Sequence, residues 1–334
     1  MYNDDRSMVA KPYAIVICYI TLHACSFSLF DAFFMFAQIL FLLRCIGNSN
    51  PIQYHTEPNA YVAITTESQT NGRGTNNRTW IGKKGNCFLT VAIPSDNLKI
   101  PPTLLPLQIG VILAEQVQSM LAGNGIRNGI RNGNAKKNTN TNTNTNKNKN
   151  KNRALVRLKW PNDVLVNEHK IAGVLIESEK DHDGNYYFLV GIGVNYRHAP
   201  KVDTEGNNRG RVTTCIHDLL SNDAKADMED GGAGCEDDES SSDDGVEEAK
   251  ALGIRIAAAI KAWIEVQKSW DGTGAADSIV LNWERWSADF GARLILRDEP
   301  GNETVITLGL EKDGRLRVVG QDGKERLLCS DYLL

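Results

Sequence analysis

The chain has 334 residues, with 37 lysines and arginines against 41 aspartates and glutamates, a formal net charge of −4 and 41% hydrophobic residues. That length holds roughly two domains and a core that folds without covalent staples, so the seven cysteines, odd in number and without a Cys-x-x-Cys pair, point away from a disulfide framework and a structural zinc site. The near-even charge argues against a general nucleic-acid binder.

Tyr13 to Leu43 is strongly apolar, interrupted by His23, Asp31 and Gln38, with Lys11 before it and Arg44 after it. A membrane span of about 20 residues would fit. A cleavable secretory signal is the poorer match, because its apolar part runs only ~7–15 residues. Asp31 would be costly at a bilayer centre. Three readings stay open for residues 1–50: a targeting segment, a membrane anchor, or a mistranslated stretch of the gene. They leave a cytoplasmic or an organellar location open.

A second region is expected over residues 51–290. Tyr61 to Thr66 alternates as a strand and leads into a glycine loop, Gln69-Thr70-Asn71-Gly72-Arg73-Gly74-Thr75-Asn76-Asn77-Arg78-Thr79-Trp80. Cys87 to Ile93 is another strand. Leu104 to Leu121 carries apolar residues at helical spacing and predicts a core-covering helix. Residues 123–152 are Asn-Gly, Thr-Asn and Lys-Asn repeats whose few apolar residues, Ile126, Ile130 and Ala135, are too sparse to build a core, and they predict a disordered insert.

Next comes Arg157-Leu158-Lys159-Trp160-Pro161-Asn162-Asp163. Leu155 to Trp160 alternates apolar and basic residues as a strand does. Pro161 has no N–H and holds Trp160 extended, so the strand stops there. Asn162 and Asp163 favour a turn, and a strand resumes at Val164. A lysine and an aspartate are thus expected to face a common point across a strand break. Lys170 to Ser178 and Tyr186 to Asn195 predict a hairpin closed by Asp183-Gly184-Asn185. Gly191 and Gly193 leave one face of its second strand bare, which suits close backbone packing or a ligand laid over it.

Residues 222–248 are acidic and rich in Gly and Ser, and predict a second disordered insert. Ala249 to Val266 is an amphipathic helix with Leu252, Ile256, Ile260 and Trp263 on one face. Ser278 to Phe290 is a helix whose Trp283 and Trp286 are expected to pack in the core. Residues 291–334 are short alternating strands with Asp313-Gly314 and Asp322-Gly323 turns, a small β-barrel-like module of the SH3 sort.

The glycine loop offers backbone N–H groups to an anion. Arg73, Arg78 and Lys159 surround it with positive charge, an arrangement suited to joining a carboxylate to a phosphate. Neither a Gly-x-x-x-x-Gly-Lys-Ser/Thr phosphate loop nor a Gly-x-Gly-x-x-Gly fingerprint is present.

Four motifs in this order, Gln-Thr-Asn-Gly-Arg-Gly-(x)3-Arg-x-Trp, Lys-Trp-Pro-Asn-Asp, Lys-Ile-Ala-Gly-Val-Leu-Ile-Glu and Gly-Ile-Gly-Val-Asn, resemble the biotin protein ligases. The resemblance covers Tyr61 to Leu220 apart from the first insert, and more loosely the C-terminal module. It implies an α/β (α+β) catalytic domain built on a mixed sheet, followed by an SH3-like module. It implies that biotin and MgATP form biotinyl-5′-AMP and pyrophosphate, after which biotin passes to a lysine of a carboxyl carrier domain, such as that of acetyl-CoA carboxylase.

By that pattern Gln69 is expected to bind biotin. Gly72, Arg73, Gly74 and Thr75 belong to the loop that closes over biotin and the acyl phosphate. Lys159 contacts the biotin carboxylate and the adenylate, with Arg73 as its catalytic companion. Trp80 packs near the adenine, and Gly173 lies in the biotinyl-AMP site. Arg78, Asp163 and Asn195 lie near ATP and a magnesium ion that ATP carries, so no dedicated metal site is implied.

Three departures stand out. Thr75 replaces a usual arginine, Asn77 a common glycine, and Asn48-Ser49-Asn50 is an imperfect match to the element that holds the ureido end of biotin. Lipoate–protein ligase is the first rival and a non-catalytic biotin- or adenylate-binding paralogue the second. Residues 1–60 lack the paired helices of a repressor domain, so nucleic acid is not an expected partner.

Overall fold

The computed structural model describes residues 16–19, 61–75, 79–123, 154–180, 184–201, 211–221, 244–267, 274–288, 291, 293–296 and 303–329. A seven-stranded sheet is its centre, formed by β1 (Val16–Tyr19), β2 (Val62–Thr66), β5 (Cys87–Pro94), β6 (Val156–Lys159), β7 (Asp163–Val166), β8 (His169–Lys180) and β9 (Tyr186–Val194). Their order is β1-β2-β5-β9-β8-β7-β6. Every neighbouring pair is antiparallel except β1 with β2, which makes the sheet mixed. β3 (Gln69–Arg73) and β4 (Thr79–Gly82) form a separate two-stranded hairpin.

Strand alternation gives the large sheet two unlike faces. One face carries Ala63, Leu89, Val91, Ile192, Val174 and Val164, and these join the main core. Helices α1 (Leu105–Gly123), α3 (Asp244–Gln267) and α4 (Ala275–Trp286) cover it, while α2 (Ile216–Leu220) is a short turn beside β9. Pro102–Ala122 is long and apolar enough to cross a membrane, but 72% of its apolar 18-residue window is buried inside the fold, as in a core helix. Leu252, Ile256, Ile260 and Ile264 give α3 its buried stripe, with Trp263 partly buried beside it. Trp283 is 1% exposed and Trp286 packs at the rim, so both tryptophans of α4 are packing groups.

The C-terminal strands β10 (Arg293–Leu296), β11 (Glu303–Leu310), β12 (Leu316–Val319) and β13 (Glu325–Leu328) form an antiparallel sheet in chain order. Among the described residues β10 and β13 do not pair, so the expected barrel is an open sheet. It shares the main core through Val305, Leu310, Leu316 and Val318. Its Asp313-Gly314 turn packs against Leu104 and Leu107 at the start of α1.

Two expected boundaries shift. The second insert was expected to reach residue 248, but α3 begins at Asp244 because Val246 and Ala249 start its buried stripe and Glu248 accepts a hydrogen bond from the Tyr196 hydroxyl at 2.7 Å. Val16–Tyr19, inside the apolar N-terminal stretch, is the parallel edge strand of the large sheet, so the sheet draws on residues before 51. The other N-terminal positions, most of the first insert and residues 222–243 lie outside the described residues.

Candidate active site

The second face of the sheet carries the site. Register pairs run Thr66, Phe88, Gly193, Gly173, Asp163 and Lys159 across six strands. Directly opposed residues share a face, so the two glycines form a bare trough in mid-row. Trp80 of β4 lies in it. A Cβ at Gly193 would stand 2.6 Å from the indole Cε2, and one at Gly173 would stand 3.2 Å from Cζ3. The bare face is therefore a place of close approach, and the group that approaches is an aromatic ring from the hairpin.

The stretch expected as a glycine loop is thus a hairpin over residues 69–73 and 79–82, with Gly72 opposite Trp80. Gln69, Gly72 and Arg73 pair there with Gly82, Trp80 and Thr79. The β-branched and aromatic run Thr79-Trp80-Ile81 favours the strand. Between hairpin and sheet lies a cavity of about 170 Å³, roughly ten times what one buried water needs. Gln69, Arg73, Gly74, Thr75, Trp80, Asp163, Gly173 and Asn195 all line it. Gly72 is buried in the hairpin behind it. Asn48, Ser49, Asn50 and Arg78 lie outside the described residues.

Lys159 is placed differently from the expectation. It stands opposite Asp163 at the mouth of the β6–β7 hairpin, but the lysine in the cavity wall is Lys170. Lys170 Nζ lies 2.6 Å from Asp163 Oδ1 and 5.2 Å from the centroid of the Trp80 ring. Strict alternation would turn Lys170 to the helix-covered face with Ala172 and Val174. A bulge opposite Val164 and Leu165 puts one extra residue into β8, which sends Ile171 into the core and Lys170 over the trough. Segment 211–214 runs alongside: Lys170 N–H donates to Val212 O at 2.9 Å, and Thr214 N–H to Lys170 O at 3.0 Å.

Three residues of the Lys-Trp-Pro-Asn-Asp turn have separate tasks. Trp160 Nε1 donates to Gly314 O at 3.0 Å and ties the turn to the C-terminal sheet. Asn162 is buried and donates to Val174 O at 2.6 Å, fixing the turn to β8. Asp163 holds Lys170.

Positive charge in the cavity wall comes from Arg73, Lys170 and Arg211, the last two missed in the sequence. Arg73 is half-exposed and pairs with Glu177 of β8 at 2.9 Å. Arg211 donates to the backbone oxygen of Glu168 at 3.3 Å. Two buried polar atoms at the site have no hydrogen-bond partner among the described residues, Trp80 Nε1 and Asn195 Oδ1. Asn195 is 1% exposed, lines the cavity and donates from Nδ2 to Thr214 O at 3.1 Å, while its Oδ1 has no partner among the described residues. A buried polar atom without a partner calls for one, which a water, an ion or a ligand can supply. Oxygen donors of this kind, Asn195 Oδ1 and the Asp163 carboxylate, fit a hard cation such as Mg²⁺ arriving with a polyphosphate.

The model of the biotin/lipoate A/B protein ligase family matches residues 50–195. A 47-residue segment is 51% identical to the biotin–[acetyl-CoA-carboxylase] ligase of Paracoccus denitrificans, covering 14% of this chain and 20% of that protein. The bifunctional ligase/repressor BirA of Bacillus spizizenii is 26% identical over 133 residues, 40% of this chain and 31% of that one. The chain therefore spans only a fifth to a third of these relatives. A variant of the biotin protein ligase from Aquifex aeolicus, solved in complex with biotin, matches with a TM-score of 0.50 at 16% identity, covering 95% of this chain and 96% of that one, a likeness of fold. The segment that the family model matches contains the glycine trough, the hairpin and every cavity residue discussed above except Arg211, so the similarity to the biotin/lipoate A/B protein ligase family falls on the site itself.

Proposed function

We propose that this chain joins biotin to a specific lysine of a carboxyl carrier domain in two steps. In the first, a biotin carboxylate oxygen attacks the α-phosphorus of ATP; the bond to the bridging oxygen breaks, pyrophosphate leaves, and biotinyl-5′-AMP remains. In the second, the carrier lysine amine attacks the acyl carbon and AMP departs. The observation that carries the reading is the gathering of Lys170, Arg73 and Arg211 with Asn195 around a trough floored by Gly173 and Gly193.

The chemistry needs each of these. A carboxylate and a polyphosphate repel until fixed cations hold them together, and charge developing on the transferred phosphate is stabilised by donors already in place. Lys170, aimed into the trough by the bulge, is the cation for the carboxylate and the α-phosphate. Arg73 and Arg211 serve the phosphates from the hairpin side and from segment 211–214. Magnesium, bound through the triphosphate with Asn195 and Asp163 as oxygen donors, would supply further charge neutralisation. Trp80 and the hairpin cover the trough and keep water from the mixed anhydride.

Biotin-dependent exchange of pyrophosphate into ATP tests the first step, and transfer of labelled biotin to a purified carrier domain tests the second. Absence of exchange with a folded chain that still binds biotin would select a non-catalytic binding role. The family description spans lipoate as well as biotin, so lipoic acid is the control. Exchange supported by lipoic acid and not by biotin would assign the chain to lipoate ligation.

A further inference from the structure

Asn195 sits at the end of β9, and the chain must leave the ladder there while keeping its side chain in the cavity wall. β5 and β9 pair down to Cys87 with Val194. Past that point the ladder gives way to a single side chain, that of Asn86, which is 3% exposed. Its Oδ1 accepts three successive backbone N–H groups, from Tyr196 at 3.1 Å, Arg197 at 3.0 Å and His198 at 2.9 Å. Its Nδ2 donates to His198 O at 2.9 Å. Three consecutive N–H groups converging on one oxygen form a nest, a backbone shape that ordinarily holds an anion.

The carbonyls of the same segment are held from the other side. Ile216 N–H donates to Asn195 O at 3.0 Å, His217 N–H to Tyr196 O at 2.8 Å, and Cys215 Sγ–H to Arg197 O at 3.2 Å. The turn that presents Asn86 depends on Gly85, whose φ is +91° and where a Cβ would meet Arg197 at 3.3 Å. Residues 196–198 are thus clamped between Asn86 and segment 215–217, and Asn195, whose O accepts from Ile216 and whose N–H donates to Ile171 O at 2.8 Å, immediately precedes them.

We infer that Asn86 is a positioning residue for the reaction: by gathering the N–H groups of residues 196–198 it sets the chain so that Asn195 keeps its place in the cavity wall. Nothing in the Asn86 side chain reaches the cavity wall, so its effect passes through Asn195. The inference rests on the proposed role of Asn195 toward the magnesium-bearing phosphates. Removing a partner that orients a ligand residue typically costs about 10–100-fold in activity or metal affinity.

The test combines Asn86→Ala, Asn195→Ala and the double variant with two independent readouts. Amide hydrogen exchange at residues 196–198 reports the clamp without requiring activity. Biotin-dependent ATP–pyrophosphate exchange, resolved into kcat and the KM for MgATP, reports the consequence. We expect faster amide exchange in Asn86→Ala and a fall in kcat/KM for MgATP of about 10–100-fold. Biotin affinity should be unchanged, and the double variant no worse than Asn195→Ala alone.

Unchanged amide exchange in Asn86→Ala overturns the clamp whatever the activity. Additive losses in the double variant, or equal losses for biotin and MgATP, overturn the route through Asn195. A wild-type chain that binds biotin but shows no pyrophosphate exchange defeats the proposed function instead; faster amide exchange in Asn86→Ala would then still support the clamp. If Asn86→Ala does not fold, Asn86→Asp, which keeps the acceptor for three N–H groups and loses only the donor, is expected to give an intermediate loss by the same readouts, and a loss-free Asn86→Asp whose amide exchange is raised would refute the coupling.

Discussion

Two lysines compete for the central role, and comparing Lys170→Ala with Lys159→Ala decides between them. Lys170 lines the cavity, lies 2.6 Å from Asp163, and both side chains are about four-fifths buried, at 20% and 19% exposure. Losing one charge-assisted contact to a carboxylate or phosphate removes roughly 1.5–3 kcal/mol, about 10–150-fold in rate. Lys159 stands one register pair further out, opposite Asp163, and does not line the cavity. Its substitution is expected to cost several times less. The assay is biotin-dependent ATP–pyrophosphate exchange, read as kcat/KM, with thermal unfolding alongside. Lys170→Ala also leaves Asp163 without this ion partner, so a modest fall in Tm is expected too; Lys170→Arg, which keeps the charge, should recover Tm more fully than rate. The reasoning fails if Lys159→Ala loses as much activity as Lys170→Ala, or if the Lys170→Ala loss merely tracks its unfolded fraction.

Three further expectations follow from the same geometry. Gly193→Ala drives a methyl into the Trp80 indole, so about 1–3 kcal/mol of stability should be lost together with biotin affinity; Trp80→Ala in the same chain should relieve most of the stability loss, and strict additivity of the two substitutions in denaturant unfolding would refute the contact. Thr75 lines the cavity where the biotin ligases it resembles usually have arginine, so Thr75→Arg should slow release of free biotinyl-AMP by about tenfold or more through one added charge-assisted contact; unchanged release in the absence of acceptor counts against it. Burial pushes the Cys87 thiol up to about 12 from 9.0, which means the folded state favours the neutral thiol, with its contribution intact below pH 9 and lost as pH rises toward 12. Alkylation of Cys87 should therefore wait for unfolding while exposed Cys329 reacts at once, and Cys87→Ala should flatten the alkaline loss of stability; rapid labelling of Cys87 in the native chain would contradict this.

The elements most legible in the sequence were those with strong periodicity. The apolar stripe of α1, the Asp-Gly turns of the C-terminal sheet and the bare glycine face of β9 are local patterns that the fold did not need to rearrange. Lys170 was harder to place for a physical reason. It lies in a quoted motif, but alternation counted back from Val174 and Ala172 turns it toward the core, and only the β8 bulge reverses that. A lysine at an expected core position was itself a signal, because an unpaired charge there would be costly. The strands at residues 69–73 and 79–82 look like part of a loop in the sequence because the glycines outweigh the strand preference of Thr79-Trp80-Ile81, and what selects the strand is packing against a trough some 100 residues further along the chain. Arg211 and Asn86 carry no motif at all. Their roles depend on neighbours far away in sequence, Glu168 for one and the 196–198 backbone for the other.

The glycines of the trough have a thermodynamic cost that bears on the site as a whole. A glycine in the interior of an element costs roughly 0.5–1 kcal/mol relative to alanine, so Gly173 and Gly193 together give up about 1–2 kcal/mol of a total stability that is usually only ~5–15 kcal/mol. Packing alone could have covered that face with side chains, as it does at the other end, where Val62, Ile64, Ala92 and Leu189 form their own cluster. The bare stretch is instead filled by Trp80, a ring carried on a two-stranded hairpin joined to the sheet by a half-exposed Arg73–Glu177 pair. Exposed ion pairs contribute about 0–1 kcal/mol, so the pair that reaches from hairpin to sheet can be exchanged for a phosphate at little cost. The sheet is therefore built to let a flat group lie against backbone, and of the contacts that hold the hairpin supplying it, the Arg73–Glu177 pair is the one that an anionic ligand can replace.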